Sequence, residues 1–209
     1  MKYQAVLFDL DGVLVDACEW HYTALNEAMR EIVGFEISRH DHETKYNGLP
    51  TNVKLSMMNI DEPMASRIGQ LKQSLTMKTI HKNAKIMMEK CDLHRYLKAN
   101  GIKIACVTNS ISTTARLMLE KTGQLEYMDL IVSNEDVKNN KPSPDCYNYA
   151  IEKLKVDPLK CLCVEDSPKG IQAAINSRAN AVWQVKNPSE VNSESYRRFV
   201  NEDFDTYGG

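Results

Sequence analysis

The sequence predicts an α/β fold: a doubly wound parallel sheet with a small helical insertion placed directly after the first strand. Three observations predict it. Five short apolar runs lack strict alternation, helix-period segments separate the later runs, and the interval between the first two is far too long for a simple crossover.

The runs are Ala5–Phe8, Ile102–Val107, Leu130–Val132, Cys161–Val164 and Ala181–Val185. Their β-branched content and lack of strict alternation suit strands covered on both faces, as in a parallel sheet. Between them Ala115, Met118 and Leu119 repeat at three and four, as do Tyr147, Ala150, Ile151 and Leu154, so each set marks a helix with one apolar stripe. Ser143-Pro144 and Ser167-Pro168 each read as an N-cap followed by Pro at the first helical position. Strand–helix–strand repetition from about Ile102 onward requires right-handed crossovers and a doubly wound sheet.

From Asp16 to about Met88 only helical periods are found. His21, Leu25, Ala28 and Ile32 form one stripe; Met64, Ile68, Leu71 and Leu75 form another after Pro63. A crossover needs about a dozen residues, and this interval is several times longer. Residues 16–84 are therefore assigned to a helical insertion, with 1–15 and 85–209 as the core. An insertion at this point hangs over the carboxyl ends of the strands, where α/β sheets bind ligands, which makes it a lid candidate. The tail from Asn187 to Gly209 is polar, with Tyr196, Phe199 and Phe204 as anchors.

The 209 residues are 43% hydrophobic and 26% charged, which excludes wholesale disorder and fits one large domain or a domain with an insertion. Against 26 Lys+Arg stand 28 Asp+Glu, a net charge of −2, so neither a nucleic acid nor a membrane surface is expected as a partner. Cys18, Cys91, Cys106, Cys146, Cys161 and Cys163 form no CxxC and lack zinc spacing; they read as reduced core thiols of a cytoplasmic protein. The apolar run ending at Asp9 is too short for a signal peptide, and no stretch approaches the ~18 apolar residues of a membrane span. A monomer or weak homodimer is expected.

Four polar clusters fall at the carboxyl ends of the predicted strands. Phe8-Asp9-Leu10-Asp11-Gly12 closes the first, where carboxylates at i and i+2 point to the same side of an extended chain and Gly12 permits a sharp turn. Thr108-Asn109-Ser110 closes the second strand and opens a helix. Lys141-Pro142-Ser143-Pro144 follows the third, and Glu165-Asp166-Ser167 closes the fourth. Taken singly, the Thr, Asn and Ser residues serve as caps, and Lys141 as a solvated loop lysine. Asp9 and Asp11 resist that reading, because two acids at the end of a buried strand repel one another without a cation nearby.

Together the clusters form a complete chemical set. Asp9, Asp166 and Glu165 offer hard oxygen ligands, suited to Mg²⁺ rather than zinc. The Thr108 hydroxyl and the N–H groups of a helix start suit phosphate oxygens, and Lys141 would neutralise both carboxylates and phosphate. One carboxylate can attack phosphorus to give an aspartyl-phosphate; the second can protonate the leaving oxygen and then activate water.

The order and contexts of Asp9-Leu10-Asp11-Gly12-Val13-Leu14-Val15-Asp16, Thr108-Asn109-Ser110, Lys141-Pro142-Ser143-Pro144-Asp145 and Val164-Glu165-Asp166-Ser167-Pro168-Lys169-Gly170 resemble the haloacid dehalogenase (HAD) superfamily, over about Tyr3 to Val185. The resemblance implies a Rossmann-like core with an all-helical cap inserted after the first motif. It implies Asp9 as nucleophile, Asp11 as general acid/base with its backbone carbonyl on Mg²⁺, Thr108 and Asn109 on the phosphate, Lys141 stabilising nucleophile and phosphate, and Asp166 with Glu165 holding the metal.

Within the superfamily, an acid at Asp11 disfavours dehalogenase and phosphonatase chemistry. The chain is most similar to the beta-phosphoglucomutase branch and to the sugar-phosphate and phosphoglycolate phosphatases. Asp16–His21 is similar to the mutase segment in which the His helps position the acid/base; a packing role for His21 on its apolar stripe is the alternative. Asn47-Gly48-Leu49-Pro50-Thr51 matches the substrate-specificity loop, but Thr51 stands where the mutases carry a phosphate-gripping Arg, and Ile111-Ser112 replace the polar residues after the second motif. The Pro-Gly of many relatives at core re-entry is absent from Met87–Lys90. Without a cationic grip a bisphosphate is hard to hold. The expected function is therefore a Mg²⁺-dependent phosphatase of a small phosphorylated metabolite, a sugar phosphate by preference. The alternatives are a sugar phosphomutase and a non-catalytic, receiver-like phosphate-binding domain, which needs neither the insertion nor Asp11.

Overall fold

In the computed structural model residues 2–205 are described, with side chains described through residue 201. The chain forms two compact units, Met1–Asp16 with Lys85–Gly209, and Ala17–Ala84.

The first unit is built on five parallel strands: β1 (Ala5–Phe8), β2 (Lys103–Val107), β3 (Leu130–Val132), β4 (Cys161–Glu165) and β5 (Ala181–Gln184), in the order β3-β2-β1-β4-β5. Each coincides with a predicted apolar run to within a residue at either end. β1 is central, and Phe8 is level with Cys106 on one side and Val164 on the other, so β1, β2 and β4 end at one rim. The buried side chains divide between two faces, as a doubly covered sheet requires. Ala5, Leu7, Ala105, Val107, Cys161 and Cys163 pack against Cys146, Tyr147, Ala150, Ile151 and Leu154 of a helix over Asp145–Leu154, and against Ala173 and Ala174 of a helix over Pro168–Ile175. Phe8 points the other way and meets His94, on a helix over Met88–Ala99, edge-on at 5.5 Å between ring centres. Complete burial of such a side chain contributes about 1.5–3 kcal/mol.

Numbered along the chain, the helices of this unit are α5 (Met88–Ala99), α6 (Ser112–Lys121), α7 (Asp145–Leu154), α8 (Pro168–Ile175) and α9 (Ser193–Asp205). Ser167 caps α8 as its sequence suggests, accepting the Gly170 N–H at 3.1 Å. Two expected helix starts are displaced. α7 begins at Asp145 with Pro144 in the cap position, and the Ser143 hydroxyl instead donates to Asp145 Oδ1 at 2.7 Å. α6 begins at Ser112, so Thr108-Asn109-Ser110 is a loop rather than a helical first turn. On α9, Tyr196 lies 6.4 Å from Trp183, which stacks on Phe199 at 5.6 Å; the side chain of the third expected anchor, Phe204, lies outside the described residues.

The second unit contains no strand among the described residues. It comprises α1 (Cys18–Val33), α2 (Arg39–Asp41) running into a π-helical turn at His42–Tyr46, α3 (Thr51–Met57) and α4 (Glu62–Asn83). α1 ends at Gly34, whose φ of 77° is the left-handed conformation that glycine adopts without strain. Leu25, Ala28 and Met29 of α1, Ile37, Leu55 of α3 and Ile68 of α4 form its core. Buried Asn26 pins the chain after α1 with paired hydrogen bonds to the Ile37 backbone at 3.0 and 2.9 Å.

All six cysteines are free thiols, five of them buried and Cys18 half-buried. Among the described residues no helix is long and apolar enough to cross a membrane.

Candidate active site

The site lies where parallel strands run out together. Asp9 follows β1 and is tied to its neighbour by donation of its N–H to Val164 O at 3.0 Å. Thr108 follows β2 and donates its N–H to Val132 O at 2.9 Å. Glu165 is the last residue of β4, and Asp166 comes next. Lys141 arrives on the loop between β3 and α7.

Lys141 is the centre of the arrangement. An ammonium has three hydrogens to donate, and each has an acceptor: Asp9 Oδ1 at 2.7 Å, Val107 O at 2.7 Å and Glu165 Oε1 at 2.6 Å. Its side chain is 4% exposed, that of Glu165 is 0% and that of Asp9 is 11%, so the three charges are screened by little water. Burial opposes the charge on Lys141, but Asp9 and Glu165 outweigh it and hold the ammonium above its ordinary pKa. Burial pushes the Asp9 carboxyl well above its ordinary range, opposed by Lys141 and reinforced by Glu165, Asp166 and Asp11.

Glu165 is held from three directions. Oε1 accepts both Lys141 and the Tyr147 hydroxyl, the latter at 2.6 Å, and Oε2 accepts the Asp166 N–H at 3.3 Å. Gly170 leaves room for this carboxylate: a Cβ there would lie 2.1 Å from Oε2.

Asp166 is different. Its Oδ1 is buried without a hydrogen-bond partner, and burial followed by the charge of Glu165 pushes its carboxyl up to about 7. An orphaned buried acceptor is costly. One oxygen from each of Asp9, Glu165 and Asp166 lies within 4.8 Å of the others. Gly12, with φ 95°, lies so close that a Cβ would come 2.1 Å from Asp166 Oδ2. An all-oxygen donor set with an unsatisfied anionic member fits a hard divalent cation such as Mg²⁺.

The remaining core residues join the same network. Ser110 donates its hydroxyl to Asp11 Oδ2 at 2.8 Å, and its N–H to Thr108 Oγ1 at 3.0 Å. Asn109 and Lys141 exchange hydrogen bonds: the Asn109 amide donates to Lys141 O at 3.2 Å and accepts from Lys141 N at 3.1 Å. Asp9, Asp11, Thr108, Asn109, Lys141, Glu165 and Asp166 thus gather in one unit of the protein.

The other sequence candidates belong to the helical unit. His21 on α1 places Nδ1 3.2 Å from Lys72 Nζ on α4. Asn47 follows the π-helical turn, donating its N–H to His42 O at 2.7 Å; Gly48 adopts φ 72°, and Thr51 is the first residue of α3 after Pro50.

Sequence reasoning named Ser110 and Gly170 within their motifs without giving either a role, and did not find Tyr147 or the Val107 carbonyl as parts of the network. Tyr147 was visible only as a member of an apolar stripe, because periodicity registers its ring and not its hydroxyl. The available signal was a phenol in the first turn of a helix entered from the lysine loop.

A family model described as haloacid dehalogenase-like hydrolase matches residues 6–184. Among relatives, the phosphorylated carbohydrates phosphatase of Thermotoga maritima is 28% identical over 191 residues, 87% of this chain and 85% of the relative. The fructose-1-phosphate phosphatase YqaB of Escherichia coli is 27% identical over 190 residues, covering 87% and 96%. The crystal structure of beta-phosphoglucomutase from Clostridium difficile is similar with a TM-score of 0.79 and 26% identity, over 97% of this chain and 99% of that one.

Proposed function

The chain belongs to the haloacid dehalogenase-like hydrolase family, and from that premise we propose that it is a Mg²⁺-dependent phosphatase of a small phosphorylated metabolite, a sugar phosphate by preference, acting through an aspartyl-phosphate. The observation that carries the proposal is the Lys141 ammonium held between Asp9 and Glu165 at the sheet rim, 2.7 and 2.6 Å from their carboxylates.

Asp9 and Asp166 would hold the cation through their side chains and Asp11 through its backbone carbonyl. Glu165 would assist Asp166: its Oε1 is filled by Lys141 and Tyr147, while Oε2 accepts the Asp166 N–H at 3.3 Å and keeps a lone pair for the cation. When bound, Mg²⁺ offsets the charge of the carboxylates and of the phosphate. The residues do the rest. A carboxylate oxygen of Asp9 attacks phosphorus as the bond to the leaving oxygen breaks, and the Asp11 carboxyl donates its proton to that oxygen. Asp11, now ionised, takes a proton from water, whose oxygen displaces Asp9 and releases inorganic phosphate. Lys141 offsets the negative charge gathered on Asp9 and the phosphoryl oxygens. The Thr108 hydroxyl and the surrounding backbone N–H groups bind those oxygens, while Asn109 lines the same site and fixes the Lys141 backbone. The helical unit, with His21, Asn47, Gly48 and Thr51, is proposed as the cap that selects the substrate.

A phosphomutase is the second reading, favoured by the likeness to beta-phosphoglucomutase and opposed by Thr51, which supplies no charge for a second phosphate. A receiver-like domain would need neither Asp11 nor the helical unit. A panel of phosphorylated sugars and acids, followed by free phosphate with and without Mg²⁺, separates the three. Chelator-sensitive phosphate release supports the phosphatase. Isomerised sugar phosphate in the presence of a bisphosphate activator indicates the mutase, and no turnover of any ester indicates the receiver.

A further inference from the structure

Tyr147 is completely buried, although burying a hydroxyl is unfavourable unless it is hydrogen-bonded. Phenylalanine would fill the same space without that cost. Among the described residues the hydroxyl donates to Glu165 Oε1 at 2.6 Å, and that oxygen also accepts from Lys141 Nζ at 2.6 Å. The remaining two hydrogens of Lys141 go to Asp9 Oδ1 and Val107 O, both at 2.7 Å. A continuous relay therefore runs from the Tyr147 O–H to Glu165 Oε1, from Glu165 to the Lys141 ammonium, and from Lys141 to Asp9. The aromatic ring completes the cradle, with its centre 5.0 Å from Nζ.

The relay has little slack. The Asp166 N–H holds Glu165 Oε2 at 3.3 Å, and the backbone of Gly170 closes the space beside it. Oε1 can satisfy two donors and has two. With the phenol removed, Oε1 keeps a single donor in a site where Glu165 is fully buried. The cheapest compensation is a stronger demand on Lys141, whose other anionic partner among the described residues is Asp9. Buried hydrogen-bond networks couple in this way, so loss at one end is felt at the other.

We propose that Tyr147 is a positioning residue for phosphoryl transfer: its hydroxyl sets how Lys141 is divided between Glu165 and Asp9, and so keeps Asp9 Oδ1 held and Oδ2 directed to phosphorus. This rests on the reading of Asp9 as the nucleophile. Tyr147 acts through Glu165 and Lys141 rather than on the substrate, so its loss slows transfer and leaves substrate binding intact.

The test compares Tyr147→Phe with Ile151→Val, which removes a methyl from the same buried cluster one turn further along α7. Each variant is followed by steady-state kinetics on the best ester of the panel, by its melting temperature, and by fluorine NMR titration with beryllofluoride and Mg²⁺, a non-reacting mimic of an aspartyl-phosphate. Tyr147→Phe lowers kcat about tenfold with KM within about twofold, and weakens beryllofluoride binding by a similar factor. Ile151→Val lowers the melting temperature but leaves kcat, KM and beryllofluoride binding within about twofold of the wild type. Unchanged kcat and beryllofluoride affinity in Tyr147→Phe, or an equal loss in Ile151→Val, overturns the proposal. Wild-type protein that turns over no ester and forms no beryllofluoride adduct overturns the nucleophile reading itself, and this proposal with it.

Discussion

Asp9 Oδ1 and Lys141 Nζ stand 2.7 Å apart although 132 positions separate the two residues in the chain. The same ammonium faces Glu165, so Lys141→Met leaves two buried carboxylates without their cation. Breaking a buried pair in this way costs about 3–5 kcal/mol, and loss of the charge at phosphorus lowers kcat by roughly 10²–10³. Lys141→Arg restores neither, because a planar guanidinium cannot direct three hydrogens to acceptors arranged around one nitrogen. Denaturant unfolding and steady-state kinetics check both halves.

Gly170→Ala sets two effects against each other. In the interior of a helix, Ala is favoured over Gly by about 1 kcal/mol. Here the added Cβ would fall 2.1 Å from Glu165 Oε2 and 2.2 Å from both Cδ and Oε1. The clash is with the body of a fixed carboxylate, so it dominates: the variant is less stable than the wild type and loses kcat. A melting temperature raised by the substitution would show that Glu165 moves freely.

The Asp166 carboxyl, pushed up to about 7 by burial and then by Glu165, ordinarily titrates at 3.8. Between those values the metal-free folded protein binds more protons than the unfolded chain. The stability from this group is therefore complete below about 3.8 and is lost as pH rises through about 7. Mg²⁺ requires the ionised carboxylate. The rise in melting temperature on adding Mg²⁺ is accordingly small at pH 5 and larger at pH 8. A rise independent of pH contradicts the assignment of Asp166 as a ligand.

Thr51→Arg installs at this position the cation that the resemblance assigns to the mutases. On the proposed reading it changes the ranking of substrates in the ester panel, in favour of those with a second anionic group, and leaves the Mg²⁺ concentration for half-maximal activity unchanged. An unaltered ranking argues against Thr51 as a specificity residue.

The strands were legible because burial on both faces of a parallel sheet favours unbroken apolar runs, as in Ala5–Phe8 and Cys161–Val164, the latter closed by Glu165. The convergence of Asp9, Lys141, Glu165 and Asp166 was legible for a related reason: residues that follow parallel neighbouring strands must emerge at the same rim. The order β3-β2-β1-β4-β5 was not, since it depends on pairings between runs that look alike. Local starts also escaped. Ser143 has the composition of a cap, but Asp145 takes its hydroxyl and the helix begins beyond it. Thr108 likewise turns its hydroxyl to the Ser110 N–H, which delays α6 to Ser112. Tyr147 escaped because its ring satisfies the apolar period of α7 while its hydroxyl serves a carboxylate contributed by β4.

The central claim is that Asp9 takes the phosphoryl group. Rapid acid quench of the protein during turnover of a radiolabelled sugar phosphate, followed by mapping of the labelled peptide, tests it directly. The label is predicted on the peptide that carries Asp9, and is absent from Asp9→Asn, which releases no phosphate. Phosphate release by Asp9→Asn at the wild-type rate, or label carried by a different residue, would contradict the account.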